Sequence, residues 1–253
     1  ETVQKKNNKI SLKKTKNIEL SIQFSLDGFS FCVLDSKTQK NIYFKQYQFE
    51  ETLNSLKDLL KRIETIFKND ANLQIEYAAV SVIHQSNLST IVPSKYFDKK
   101  SLANYLNFNI KTLKTDFITF DNINTIDAKN VYVPYVNINN YLFQNFGEFE
   151  YQHHSSILLE KLLKIESSTE KKMYVNVSKS SFDIVVLENR KLIFSNSFSY
   201  TTKEDFIYYI LFTAEQIQLN TEEFKLYFMG EIEVESEIYK IAYKYIKNIF
   251  FLE

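Results

Sequence analysis

The chain has 253 residues, 44% of them apolar and 25% charged, with a formal net charge of zero at neutral pH. That composition fits a soluble globular protein with room for one large or two modest domains. It excludes the strongly basic surface of a nucleic-acid binder, and no run of 18 apolar residues offers a membrane span.

The start is polar. Lys5, Lys6, Lys9, Lys13, Lys14 and Lys16 face only Glu1 within the first 16 residues. Residues 1–17 are expected to form a flexible basic arm, because so little apolar side chain cannot offset the entropy of ordering. No signal-peptide apolar region follows, so the expected location is cytoplasmic. Cys32, the one cysteine, sits in an apolar strand pattern and is expected to be a buried, inert thiol.

From residue 19, Leu20, Ile22, Phe24 and Leu26 alternate with Ser21, Gln23 and Ser25, the period of a strand with one buried face. Asp27-Gly28 predicts a two-residue hairpin turn, after which residues 29–34 return as a strand and 42–49 form a third. Leu53, Leu56, Leu59, Leu60, Ile63, Ile66 and Phe67 then share one helical stripe, ending at Asn69-Asp70. Residues 77–83 read as a strand buried on both faces. Between 86 and 136 the signal weakens to strands at 89–92, 116–120 and 131–136 and a helix at 101–108. A helix at 138–146 stops at Gly147. A strand at 148–153 precedes a helix capped by Ser155 or Ser156, and the polar stretch 166–172 marks a boundary.

Beyond it the opening order recurs. Residues 173–189 give a strand, a polar turn at Ser178-Lys179-Ser180 and a return strand, with a third strand at 192–198. Thr202 followed by Asp205 resembles a capping box, ahead of a helix at 206–219 that is apolar nearly all round. A strand at 224–229 ends at Gly230. A helix at 236–247 and an edge strand at 248–252 complete the chain. A β-β-β-α unit therefore occurs twice.

This duplicated unit resembles the actin-like ATPase superfamily, whose relatives include the sugar kinases and the Hsp70 chaperones. Within it the chain looks closest to an uncharacterised bacterial family related to PilM, the actin-like protein of type IV pilus assembly. The resemblance rests on SLDGFSFCVLD, FEYQHHSSILLEKLL, and EDFIYYILFTAEQIQLN leading into KLYFMGEI. It implies an α/β, duplicated actin-like (ribonuclease H-like) fold of two lobes, each with a mixed five-stranded sheet and flanking helices. Residues 18–168 would form the first lobe, with an insertion at about 86–136, and 169–253 the second. It also implies that SLDG and SKSS occupy the two phosphate-loop positions, and residues 228–231 the adenosine-binding turn.

Phosphate is cradled by closely approaching backbone N–H groups, which usually demands glycine, and Mg²⁺ needs a carboxylate at the strand end. The chain has only three glycines, Gly28, Gly147 and Gly230. Where the family reads Asp-x-Gly after the first strand, this chain reads Gln23, Phe24 and Ser25. Where the second lobe reads Asp-x-Gly-Gly, it reads Asn176, Val177, Ser178 and Lys179. The paired glycines of the adenosine turn become Gly230-Glu231. Gln23, Ser25, Asp27, Gly28, Asn176, Ser178, Lys179, Ser180 and Gly230 are thus expected to be vestigial nucleotide loops, with no catalytic residue, metal ligand or required cofactor. Asp27 reads as a hairpin corner. ATP with Mg²⁺, held by the serine hydroxyls and Lys179, is the alternative.

His153 and His154, as strand neighbours, are expected to point to opposite faces rather than share a metal. A nuclease would need converging carboxylates, and no Gly-x-Ser-x-Gly supports a serine hydrolase. The expected function is a non-catalytic actin-like scaffold or adaptor, a pseudo-ATPase; the alternative is a divergent ATP-binding switch or weak ATPase. The implied partner is a protein, offering a short peptide or a membrane-proximal segment, with no nucleic acid and with the chain itself a monomer or homodimer.

Overall fold

The computed structural model describes residues 3–6, 17–108, 110–113, 115–166 and 168–252. The chain gathers into two compact units. One comprises Glu1–Leu88, Leu102–Asp121 and Tyr132–His154, and the other Ser89–Ser101, Asn122–Val131 and Ser155–Glu253.

In the first unit, β1 (Val3–Lys6) lies antiparallel to β4 (Asn41–Gln48), which follows β2 (Ile18–Phe24) and β3 (Gly28–Asp35) in an antiparallel meander. Ile18, Leu20, Ile22 and Phe24 point inward on β2, as the alternation requires. Helix α1 (Leu56–Asn69) starts at Ser55, whose Oγ accepts the Asp58 amide, and buries Leu59, Ile63, Ile66 and Phe67 against the sheet residues. Strand β5 (Ala79–His84) then runs parallel to β2.

The next stretch contains β6 (Ser89–Pro93), α2 (Leu102–Asn107), β7 (Thr119–Ile123) and β8 (Ala128–Tyr132), with its strands forming a small sheet in the order β6-β8-β7. Helix α3 (Val136–Phe146) follows. It buries Ile138 and Leu142 in the first core and ends at Gly147, whose φ is +74°. Strand β9 (Glu150–His153) pairs parallel to β5, completing a sheet ordered β1-β4-β3-β2-β5-β9. The five expected strands are present, with β1 as a sixth. Part of the stretch read as a flexible arm is therefore a strand; residues 1–2 and 7–16 of that arm lie outside the described residues.

The second unit repeats this plan. Strands β10 (Lys172–Val177), β11 (Ser181–Glu188) and β12 (Lys191–Ser199) form the meander, and α5 (Lys203–Gln216) opens on the Thr202–Asp205 capping box. Strand β13 (Lys225–Gly230) runs parallel to β10. After α6 (Glu237–Tyr245), β14 (Asn248–Phe251) pairs parallel to β13. The order β12-β11-β10-β13-β14 is that of β4-β3-β2-β5-β9, strand for strand. This is the duplicated α/β architecture.

Helix α4 (His154–Ile165) joins the two halves of the sequence. The sequence assigns it to a first lobe ending at residue 168, but its contacts place it in the second unit. Leu159, Leu162 and Leu163 share a core with Tyr174, Val185 and Leu187, so the apolar stripe of α4 is buried against the second sheet.

Candidate functional site

The first expected nucleotide loop, residues 23–28, is closed on itself. Phe24 pairs with Phe29 across β2 and β3, so the turn spans residues 25–28 rather than the two residues Asp27-Gly28. The Ser25 amide donates to Gly28 O at 3.0 Å, and the Asp27 amide donates to Ser25 Oγ at 3.0 Å. Asp27 is anchored too, its Oδ1 accepting from Thr52 Oγ1 at 2.6 Å. Gln23, where a metal-binding carboxylate would stand, donates from Nε2 to Gln85 Oε1 at 2.7 Å. Gly28 does not take a positive φ. Its small size serves a close approach, since a Cβ there would lie 2.8 Å from Tyr47 O.

The second loop is closed in a different way. The Ser178 amide donates to Ser181 O at 2.8 Å, Ser178 O accepts the Tyr200 hydroxyl at 2.9 Å, and Ser180 O accepts the Tyr200 amide. Asn176 donates from Nδ2 to Asp183 Oδ2 at 3.0 Å, while Asp183 Oδ1 accepts from Ser197 Oγ at 2.5 Å. Asp183, only 6% exposed, is the directly paired residue on the neighbouring strand. Lys179 is exposed at the turn.

Gly230 is the one glycine of the three turns that needs both freedoms. Its φ is +85°, and a Cβ would meet Val177 O at 2.2 Å and Asn176 Oδ1 at 2.9 Å. Asn176 and Gly230 are thus brought together. The Glu231 amide that follows donates to Val177 O at 2.7 Å.

These arrangements do not fit a Mg-nucleotide cradle. The amides of Ser25, Asp27 and Ser178 point into their own turns, that of Glu231 is taken by Val177 O on the neighbouring strand β10, and amide side chains stand at Gln23 and Asn176. Among the described residues no group of three or more His, Cys, Asp or Glu could hold a metal ion.

His153 and His154 depart from expectation. The chain passes from β9 into α4 between them, so strand alternation does not apply, and their rings lie 4.5 Å apart. Both are buried in the first unit, where the His153 amide donates to Asp121 Oδ2 at 2.8 Å. Cys32, expected to be buried, is only partly so, and its Sγ contacts Asn41 Oδ1 at 3.2 Å.

An apolar groove of about 540 Å³ opens elsewhere in the first unit. It is lined by Val136, Asn139, Asn140 and Phe143 of α3, by Phe149 and Tyr151, and by Phe117 and Glu148. Phe117 and Phe143 are more than half exposed, and Val136 is 40% exposed. Strand β9, which carries Tyr151, is the last strand of its sheet and is paired on one side only among the described residues. A larger hollow of about 750 Å³ lies near the end of α1, but there Gln74 Nε2 is already engaged by Phe67 O and Lys68 O.

Residues 7–249 match the model of a family described as "Protein of unknown function (DUF3822)". The chain belongs to the DUF3822 family. Its fold is that of a crystal structure from Bacteroides thetaiotaomicron VPI-5482, described as a protein with actin-like ATPase fold and unknown function. The two share 22% identity with a TM-score of 0.86, over 97% of this chain and 94% of that one. The structure of a PilM-PilN type IV pilus biogenesis complex matches at 10% identity and TM-score 0.58, over 93% and 88% of the two chains. The ethanolamine utilization protein EutJ from Carboxydothermus hydrogenoformans matches at 7% identity and TM-score 0.50, over 92% and 84%. No curated protein sequence matches this DUF3822 chain. The actin-like fold expected from the sequence is therefore the fold of this protein, and no helix among the described residues is long and apolar enough to cross a membrane.

Sequence reasoning missed the groove. The available signal was α3 itself, which has apolar residues on two faces: Ile138 and Leu142 inward, Val136 and Phe143 seven apart on another side.

Proposed function

We propose that this DUF3822 protein is a non-catalytic actin-like scaffold that grips a peptide segment of another protein in the groove between α3 and β9. The carrying observation is a contrast within the first unit. The loop at 23–28 has its polar groups matched internally, whereas the groove leaves Phe117, Val136 and Phe143 open to solvent. The likeness to a PilM-PilN complex supports the reading, since that actin-like fold is found in a complex with another protein. In this reading the chain is cytoplasmic, monomeric or homodimeric, and reaches a membrane only through its partner.

The test is thermal unfolding of the purified protein with and without millimolar Mg-ATP and Mg-ADP. Ligand at 100 times its dissociation constant would add about 2.7 kcal/mol to native stability, so binding would raise the midpoint clearly. The scaffold reading expects no shift. The second reading, a divergent ATP-binding switch or weak ATPase, draws on exposed Lys179 and on the retained Gly230 turn. A Mg²⁺-dependent upward shift that disappears in Lys179→Ala would favour it and overturn the first.

A further inference from the structure

Asn139 stands on the first turn of α3 in the groove wall, and its carboxamide is held in one orientation from beneath. The holder is His84, at the end of β5 and fully buried. The Tyr135 backbone N–H donates to His84 Nδ1 at 3.2 Å, so in the neutral ring this nitrogen carries no proton. The ring proton sits on Nε2, which lies 2.9 Å from Asn139 Oδ1 and donates to it. With Oδ1 engaged, the planar amide turns Nδ2 away from the ring, and Nδ2 has no partner among the described residues. Phe24, Tyr135 and Tyr151 meet the imidazole edge-on at centroid distances of 4.8, 5.9 and 5.6 Å, which fixes its plane. Tyr151 lines the groove as well, so two groove residues rest on the same buried ring. Burial lowers the His84 pKa to about 4, which keeps the ring neutral at physiological pH.

A fixed N–H donor in an apolar wall selects for an acceptor that is not already engaged. A helical segment has its carbonyls bonded internally, whereas an extended segment presents them. The charge is one-sided too: Glu148 lines the groove, Glu150 follows on β9, both are exposed, and no basic side chain among the described residues lines the groove.

We infer that Asn139 is the recognition donor of this groove and His84 its positioning residue, and that the occupant is an extended, apolar peptide segment carrying a Lys or Arg side chain. A main-chain carbonyl of the segment accepts from Asn139 Nδ2. Its apolar side chains lie against Val136, Phe143 and Phe149, and its cation faces Glu148. This rests on the reading of the groove as a partner site.

The experiment selects a phage-displayed random 12-residue peptide library on the full chain, with Phe143→Asp as the groove-blocked counter-selection. Binding of the best synthetic peptide is then measured to the wild type, Asn139→Leu, His84→Phe and the double variant. The expected result is enrichment of apolar residues with one Lys or Arg, and about tenfold weaker binding by Asn139→Leu. In the His84→Phe background the Asn139→Leu change should cost much less, a coupling that a merely structural histidine would not produce. Ring ¹⁵N shifts of the wild type should report the Nε2–H tautomer, a readout that needs no variant to fold. Failure to retain any peptide over Phe143→Asp overturns both the partner site and this inference. Retained peptides that bind Asn139→Leu within twofold of wild type, that bind as helices, or that accompany an Nδ1–H tautomer overturn this inference and leave the partner site standing.

Discussion

The two units share one sheet plan and one helix order, yet each pins its sheet to a helix end with its own buried ion pair. In the first, Lys45 and Tyr47 of β4 both donate to Asp70 Oδ2, at 2.6 and 2.7 Å, just beyond α1. Burial pushes the Asp70 carboxyl up, and Lys45, Tyr47 and the Asn72 amide pull it further down, so it stays ionised below the usual range. In the second, Lys172 and Tyr174 of β10 donate to Glu166, just beyond α4, as does the Ser168 amide. Its carboxyl too is raised by burial and lowered further by these donors. The same Lys-x-Tyr spacing thus serves an edge-side strand in one unit and a central strand in the other. Duplicated folds keep their apolar framework and change polar anchors freely, because an anchor needs only complete local satisfaction.

The sharpest way to break this symmetry is at glycine. Gly230→Ala combines a forced positive φ with a Cβ 2.2 Å from a backbone oxygen, and should cost about 3–5 kcal/mol. Gly28→Ala, with an ordinary φ and a 2.8 Å approach, should cost about 1–3 kcal/mol. Denaturant unfolding of both variants checks the ranking, and equal losses would contradict the assigned roles.

Next come the ion pairs. Asp70→Asn and Glu166→Gln each leave a lysine that is mostly buried, with 14% and 19% exposure for Lys45 and Lys172. Breaking such a pair costs about 2–4 kcal/mol once their residual solvation is allowed for. Urea midpoints should fall comparably in both variants.

Acid separates the units. All three histidines, His84, His153 and His154, lie in the first. His84 has a folded pKa of about 4, below the unfolded value of 6.5, so between these pH values the unfolded chain binds the extra proton. Stability contributed by the neutral ring is complete above pH 6.5 and falls by about 3 kcal/mol as pH drops to 4. Hydrogen exchange at pH 5 against pH 7 should show β5 and α3 losing protection before β10 and β13. His84→Phe, if folded, should flatten that difference.

The smallest effects belong to the helix caps. Ser55→Ala and Thr202→Ala should each cost about 1 kcal/mol, read from thermal midpoints, because each removes one acceptor for an N-terminal amide.

Much of this architecture is local information. The period-two run through Leu20, Ile22 and Phe24, the stripe through Leu59, Ile63 and Phe67, and the Thr202–Asp205 cap each name an element without reference to the rest of the chain. The loop substitutions at Gln23, Asn176 and Glu231 were also legible, since a missing carboxylate or glycine is visible in one dimension. Their actual partners were not. Gln85 lies 62 residues from Gln23, and Asp183, on the neighbouring strand, lies 7 residues from Asn176. The stretch 86–136 was hard to read because its strands are short and its apolar residues serve two different cores.

Sequence by itself determined the twofold β-β-β-α repeat, the membership of its buried faces and the lack of glycine and carboxylate at residues 23–25 and 176–179, because periodicity and residue type act over a few neighbouring positions. Only the tertiary structure decided that α4 belongs with the second sheet, that His153 and His154 face one another, and that His84 holds Asn139 against the wall of an apolar groove. Those outcomes depend on which distant surfaces meet, and hydrogen-bond geometry between residues 55 positions apart exists only once the chain has folded.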